Sequence, residues 1–245
     1  MKVALIGDIH ANLPALEAVL EHARLQGAEA IWNVGDFVGY GAFPDQVVRR
    51  LRKVAQLNII GNYDLKVLKV KKKAQQWKEK KAPEKWLAFQ WAYEHLSKKS
   101  RKFLRSLPEQ IPLQIEGHTV LLVHGSPASI DEHLVPSTPE QRLMELARLA
   151  GVEVVICGHS HVPFVHRVAG TWFVNTGSVG RPDDGDPRAC YAVMRASPEE
   201  VEFTHYRVPY DVERAAQAIR EAGLPEDFAR MVLEGKNLTA VQNHP

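Results

Sequence analysis

One recurrence constrains this chain more than any other feature: five times, an apolar run closes on glycine beside a residue that can bind a cation. The five places are GDIH at 7–10, GDFVGYG at 35–41, GNYD at 61–64, HG at 124–125 and GHSH at 158–161. The runs that lead into them, KVALIG, AIWNVG, QLNIIG, HTVLLVHG and EVVICG, read as buried strands. Each candidate ligand therefore falls in a loop at a strand end, where a sheet presents its polar residues together. Glycines 7, 35, 61, 125 and 158 permit the tight backbone passages that such a convergence needs.

Helical spacing fills the gaps between these strands. The segment 12–27 has apolar residues at helical intervals, with Asn12 placed to cap it and Pro14 early enough to be tolerated. A second helix is expected over 44–55. Three strands alternating with helices imply βαβ crossovers and a locally parallel sheet. From Tyr63 to Leu107 the strand rhythm stops, and 87–107 reads as one amphipathic helix. We expect 63–107 to be a helical insert or lid within a single domain spanning 1–245. Strands follow at 111–117 and 118–125, a helix at 138–149, a strand at 153–158, and a hairpin from PFVHRVAG and TWFVNTG. CYAVMRAS and EVEFTHYRV pair next, and two short helices, 211–222 and 225–234, are separated by Gly223 and Pro225. The expected class is α/β, with two stacked mixed sheets and helices outside.

Composition narrows the partners. Of 245 residues, 45% are hydrophobic and 24% charged, which suits a globular chain rather than a disordered one. The formal charge of +2 is too small for a general polyanion trap, so any basic surface must be local. Cys157 and Cys190 lie in apolar strand-like runs and read as reduced core residues. The N-terminus places Asp8 and His10 after a short apolar run, unlike a secretory signal. No run approaches the roughly 20 apolar residues of a membrane span. A cytoplasmic location is expected, with no membrane partner.

Asp8 and His10 are two residues apart, so an extended segment would point both to one side; His159 and His161 share that spacing. A lone histidine is more often a hydrogen-bonded structural group than a ligand. With Asp36, Asn62 and His124, however, the two pairs form a mixed nitrogen and oxygen set sufficient for two divalent ions. Two ions roughly 3.5–4 Å apart can clamp a phosphoryl group and stabilise an in-line displacement. Asp36, alone between the end motifs and carrying two oxygens, is the natural bridge.

The ordered set GDxH, GD, GN, HG and GHxH resembles the calcineurin-like metallophosphoesterase family, in its small bacterial and archaeal phosphodiesterase-like branch. The resemblance runs from GDIHAN through VNTGSVGRP to VPYDVERA, nearly the whole chain. It implies a four-layer αββα sandwich with a binuclear centre at the strand ends. Asp8, His10, Asp36 and His161 would hold one ion, and Asp36, Asn62, His124 and His159 the other. Manganese, iron, zinc and nickel all suit this set, whereas magnesium prefers oxygen ligands. The implied activity is phosphoester hydrolysis, diesters first, by a metal-bound hydroxide without a serine nucleophile. Asp36, Asn62, Tyr63, Asp64 and His124 are the implied catalytic residues. One departure stands out: many relatives carry histidine where this chain has Tyr63. A phenol with an ordinary pKa near 10 transfers protons poorly at neutrality, and Asp64 loses the partner it would orient. Tyr63 is thus a weak donor, a sign that good leaving groups are favoured, a mark of binding in place of hydrolysis, or a packing residue beside the cleft.

Other residues carry two readings each. Arg181, in VNTGSVGRP, is a candidate contact for a substrate phosphate or a surface salt bridge. Asn12 is a substrate contact or a helix cap, and Tyr40 a stacking platform or a structural aromatic. Residues 66–85 contain nine lysines, with Trp77 and Trp86 nearby, which is a nucleic-acid surface or a solvated helix face. His22, His95, His118, His133, His166, His205 and His244 lack the strand-end context; His133, after HGSP, is the candidate exception. Phe89, Trp91 and Phe103 are expected to pack the helical excursion. The alternatives to a phosphodiesterase are a phosphomonoesterase, a weakly catalytic phosphate-ligand sensor, and a nucleic-acid-binding module. A phosphate ester or nucleotide is the expected ligand, and a homodimer a possible assembly.

Overall fold

The first strand, β1 (Lys2–Ile6), alternates: Val3 and Leu5 face one way, Ala4 and Ile6 the other, and all four are buried. A strand covered on both faces belongs inside a layered sandwich. In the computed structural model, which describes residues 1–80 and 82–243, that is its place. After α1 (Leu13–Leu25), β2 (Ala30–Asn33) pairs parallel to β1, with Val3 opposite Ala30. α2 (Pro44–Val54) then leads to β3 (Leu57–Asn58), parallel to β2. Three helices follow, α3 (Asn62–Lys80), α4 (Pro83–His95) and α5 (Lys98–Arg105).

The second sheet begins with the hairpin β4 (Gln110–Ile115) and β5 (His118–Val123). Past α6 (Glu140–Ala150), β6 (Val154–Cys157) joins β5 in parallel, and the hairpin β7 (Phe164–Val168) and β8 (Thr171–Asn175) completes it. The chain returns to the first sheet with β9 (Ala189–Ala196) and β10 (Val201–Val208), antiparallel strands at its edge. The sheet orders are β10-β9-β1-β2-β3 and β4-β5-β6-β8-β7. The last helices are α7 (Val212–Glu221), α8 (Glu226–Glu234) and α9 (Leu238–Asn243).

Three packing zones make the four layers. Val3, Leu5, Trp32 and Ile59 from one sheet meet Val120, Leu122, Ile156 and Val174 from the other. Ala4, Ile6 and Tyr191 of the first sheet pack under α1 and α2 and under Phe89 and Leu104 of the helical excursion. Leu143 and Leu146 of α6 cover the outer face of the second sheet beside Val155 and Phe173. The excursion is therefore docked on the core through α4 and α5.

The structure departs from the sequence reading in particular places. The single helix expected over 87–107 is two, because Leu96 is extended and Ser97 accepts the Ser100 N–H at 3.1 Å to start α5. The third strand shrinks to two residues, and the α9 helix was not anticipated. Cys157 and Cys190 are both buried and free, as expected. Among the described residues, no helix is long and apolar enough to cross a membrane. His244 and Lys81 lie outside the described residues, as do the side chains of Lys78 and Lys80.

Candidate metal centre

All five motifs open at the carboxyl ends of β1, β2, β3, β5 and β6, where loops of an α/β sheet form a crevice. The backbone there is not extended. Asp8, His10, Asp36, His159 and His161 all have φ between 48° and 66°, in the left-handed region. This corrects the expectation that an extended segment aims each pair. Such a conformation costs a non-glycine residue on the order of 1–3 kcal/mol and persists where surroundings enforce it. Here the loops are cross-bonded: Asp8 N–H donates to Gly35 O at 3.0 Å, His10 N–H to Asp36 O at 3.0 Å, and His159 N–H to Asp8 Oδ2 at 2.9 Å.

The side chains so placed converge. Asp8, His10 and His161 form one cluster of ligand atoms and Asp8, Asp36 and His124 another, each within 4.8 Å throughout. His10 Nε2 stands 3.2 Å from His161 Nε2, and Asp8 Oδ1 stands 3.3 Å from His161 Nε2. Asp36 Oδ2 lies 3.7 Å from His10 Nε2 and 3.5 Å from His124 Nε2, so this one oxygen faces both groups. Its other oxygen, Oδ1, accepts the Tyr63 N–H at 2.8 Å. His124 is aimed by its far nitrogen, Nδ1, which donates to Val34 O at 2.8 Å. Asp8 Oδ1, His124 Nε2, His159 Nε2 and Asn62 Oδ1 are buried with no hydrogen-bond partner. Buried polar atoms are rarely left so, and four at one crevice fit two divalent cations.

The electrostatics agree. Burial opposes charge on His124 and His161, yet Asp36 beside the first, and Asp8 and Asp183 beside the second, push both pKa values up to about 9. Protons on these rings stand where cations would neutralise the carboxylates. Burial, then the neighbouring His124, holds His159 down at about 4.

Residues 1–199 match the model of the calcineurin-like phosphoesterase superfamily domain. The chain belongs to that superfamily. It is 32% identical to an uncharacterized protein of Methanocaldococcus jannaschii, over 96% of this chain and 98% of that one. It is 27% identical to the phosphodiesterase YfcE of Escherichia coli K12, over 79% and 87%. A metallophosphoesterase from Sphaerobacter thermophilus superposes with a TM-score of 0.79 at 30% identity, covering 96% of this chain and 99% of that one. A hypothetical protein from Pyrococcus horikoshii reaches 0.85 at 23% identity over the same shares, a likeness of fold alone.

The residues around the ligand cluster have partners that bear on several sequence readings. Asn12 is spent inside the protein: its Oδ1 accepts the Ala15 N–H at 3.2 Å, and its Nδ2 donates to Gly180 O at 2.9 Å and Tyr210 Oη at 3.1 Å. Tyr40 offers no free face for a base, since the Arg181 guanidinium sits 4.8 Å from its ring centroid and Phe228 meets it edge-on at 4.9 Å. Its hydroxyl bonds the Tyr63 hydroxyl at 2.7 Å. Arg181 makes a half-buried salt bridge in the cleft wall, 3.1 Å from Asp183. Asp64 lies beneath the cleft, accepting the N–H groups of Val38 at 3.2 Å and Gly61 at 3.0 Å, so it braces the Asp36 loop. Burial first, then the Asp36 charge, pushes its pKa up to about 8.

A cleft of about 710 Å³ opens over the centre, walled by Asp36, Asn62, His159 and His161, by Lys66 and Lys85 of the excursion, and by α9. His133 lines it too, its ring 4.2 Å from that of His159. Trp77 and Trp86 are half-buried against the core beside the lysines. His22, His95, His118 and His205 are held by hydrogen bonds to Tyr191 or to backbone carbonyls. Two carboxylates escaped the sequence reading. Asp183 Oδ2 faces His161 Nδ1 at 3.3 Å, and Asp131 Oδ1 accepts the Asn62 Nδ2–H at 2.6 Å. The acid run DDGD after Arg181 was the only signal for the first.

Proposed function

We propose that this protein is a binuclear metal-dependent phosphodiesterase, with Asp8, His10, Asp36 and His161 holding one divalent ion and Asp36, Asn62, His124 and His159 the other. The observation that carries the reading is the pair of ligand clusters that meet at Asp8 and Asp36, with buried, unpartnered atoms on Asp8, Asn62, His124 and His159, beneath a cleft larger than one phosphate needs. Likeness to proteins named as phosphodiesterase and metallophosphoesterase supports it. Two divalent ions bound there would polarise the phosphate oxygens, activate water and offset the charge that grows in the transition state.

The chain's own residues position that chemistry. Asp36 is fixed through Oδ1, leaving Oδ2 aimed between the two histidine groups. Lys66, Lys85 and Arg181 line the cleft and attract an anionic ester. Tyr63, the departure from the family pattern, is bonded to Tyr40, and burial with the neighbouring Tyr40 raises its pKa well above the phenol range. It can donate a hydrogen bond but does not supply a proton at neutrality, so the preferred substrates are diesters whose leaving groups depart as anions. Asp64 acts by holding the loop rather than by touching substrate.

Asp36→Asn tests the assignment. Asparagine keeps the shape and the Tyr63 contact but turns an amide group toward the ions, so metal-dependent turnover should fall by at least roughly 10³-fold, about 4 kcal/mol of barrier. Full turnover in this variant would rule out Asp36 as the shared ligand.

A further inference from the structure

Asn62 differs from the other proposed ligands in one respect: its amide has two chemically opposite ends. Oxygen can bind a cation and the NH2 group cannot, so a ligand asparagine works in one of its two flip states only. Nothing in its own covalent structure selects the right one. The surroundings must do so.

Asp131 lies against it. A carboxylate only accepts hydrogen bonds, so the amide atom 2.6 Å from Asp131 Oδ1 has to be the NH2 nitrogen. The amide oxygen is thereby turned the other way, and that oxygen is the one left buried and unpartnered in the cleft shared with His159 and Asp36. The same Oδ1 of Asp131 also accepts from Lys66 Nζ at 3.1 Å. Lys66 stands four residues beyond Asn62 on α3, on the same helix face. Its ammonium balances the charge of Asp131 and keeps the carboxylate over the amide.

The loop that carries Asp131 is itself pinned. Asp131 N–H donates to Ser129 Oγ at 3.2 Å, and the next residue, Glu132, accepts from Arg142 Nε of α6 at 2.8 Å and from the Ser126 hydroxyl. Asp131 is exposed, so its contribution to overall stability is small, yet its position is set from two sides. A charged, exposed residue anchored this closely to a proposed ligand has a geometric task rather than a packing one.

We propose that Asp131 is a positioning residue for the second metal site: it locks the Asn62 amide with its oxygen toward the ion, and Lys66 holds it in place. This rests on the metal assignment made above. Loss of a group that orients a ligand typically weakens metal binding by roughly 10–100-fold. The effect should fall on the ion that Asn62 binds and spare the one held by His10 and His161.

Calorimetric titration of metal-free protein with manganese tests this, with melting temperature and turnover of bis(p-nitrophenyl) phosphate read on the same samples. Asp131→Ala should weaken the second manganese by roughly 10–100-fold, leave the first unchanged, and leave the melting temperature nearly unmoved. Lys66→Met, which keeps the Asp131 to Asn62 bond, should weaken it less. Asp131→Asn, which still offers an oxygen, should fall between Asp131→Ala and the wild type. An Asp131→Ala protein that binds both ions within twofold of wild type overturns the proposal, as does equal weakening of both ions. Absence of wild-type turnover would count against the hydrolase reading alone, because the binding comparison judges Asp131 without it.

Discussion

Gly61 offers the sharpest test of how the centre is built. It lies directly beside Asp36, and a Cβ there would fall on the Asp36 carboxylate oxygen Oδ1 and its backbone nitrogen, and 2.8 Å from its Cα. Ordinary carbon contacts need about 3.5–4 Å, so Gly61→Ala must drive Asp36 away by roughly 1 Å. The neighbour cannot yield cheaply, because Gly35, next to Asp36, is hemmed in as tightly: a Cβ there would fall 2.6 Å from Gly61 N. Overpacking of this kind costs about 1–3 kcal/mol, and each kcal/mol lowers the melting temperature of a chain this long by roughly 2–4 °C. The functional cost should be larger than the thermal one. A displacement of about 1 Å in a reacting geometry can cost on the order of 10²-fold, and here the residue moved faces both ion positions. The assay is paired: thermal unfolding of the metal-free protein, and kcat/KM with excess manganese. A variant that melts a few degrees lower yet keeps wild-type kcat/KM would refute the claim that close approach at Gly61 sets the position of Asp36.

Three further outcomes are expected. Tyr63→His, placed beside the intact ligands, should raise the rate on a phenyl ester by roughly 10²-fold while changing the p-nitrophenyl rate little; an unchanged dependence on leaving group would show that this position does not govern proton supply. His124 and His161, held near a pKa of about 9, are protonated at pH 7 in the metal-free protein and must be neutral to coordinate. Loading at pH 7 should therefore release protons and apparent affinity should climb as pH rises toward 9, read by calorimetry in two buffers of different ionisation heat; identical heats in both would contradict it. Asp183→Asn removes the charge facing His161 Nδ1 and should weaken manganese at the ion held by His10 and His161 by roughly tenfold, measured by titration; unchanged affinity would remove Asp183 from the site.

The candidate ligand positions were legible because the chemistry demands particular residue types at strand ends, and strands announce themselves by apolar runs. GDIH and GHSH became legible as a site only together with Asp36, Asn62 and His124, because either pair alone is a weak signal. The conformation of those residues was not legible. Left-handed backbone at Asp8, His10 and His161 is imposed by bonds between loops far apart in sequence, and neither aspartate nor histidine demands it alone. The same holds for Asp131 and Asp183, which gain their meaning only from Asn62 and His161 across the fold. Tyr40 and Arg181 were legible only one residue at a time; their stacking on one another in the cleft wall needed the fold. The break at Ser97 was hidden because helical periodicity continues across it, and α9 is too short for periodicity to reveal.

The most direct test is multiple-turnover hydrolysis of bis(p-nitrophenyl) phosphate by manganese-loaded protein of measured metal content, beside the same protein stripped by chelator. The expected result is sustained turnover that rises with the second equivalent of metal and is absent from the stripped sample. No turnover with two ions bound per chain would contradict it.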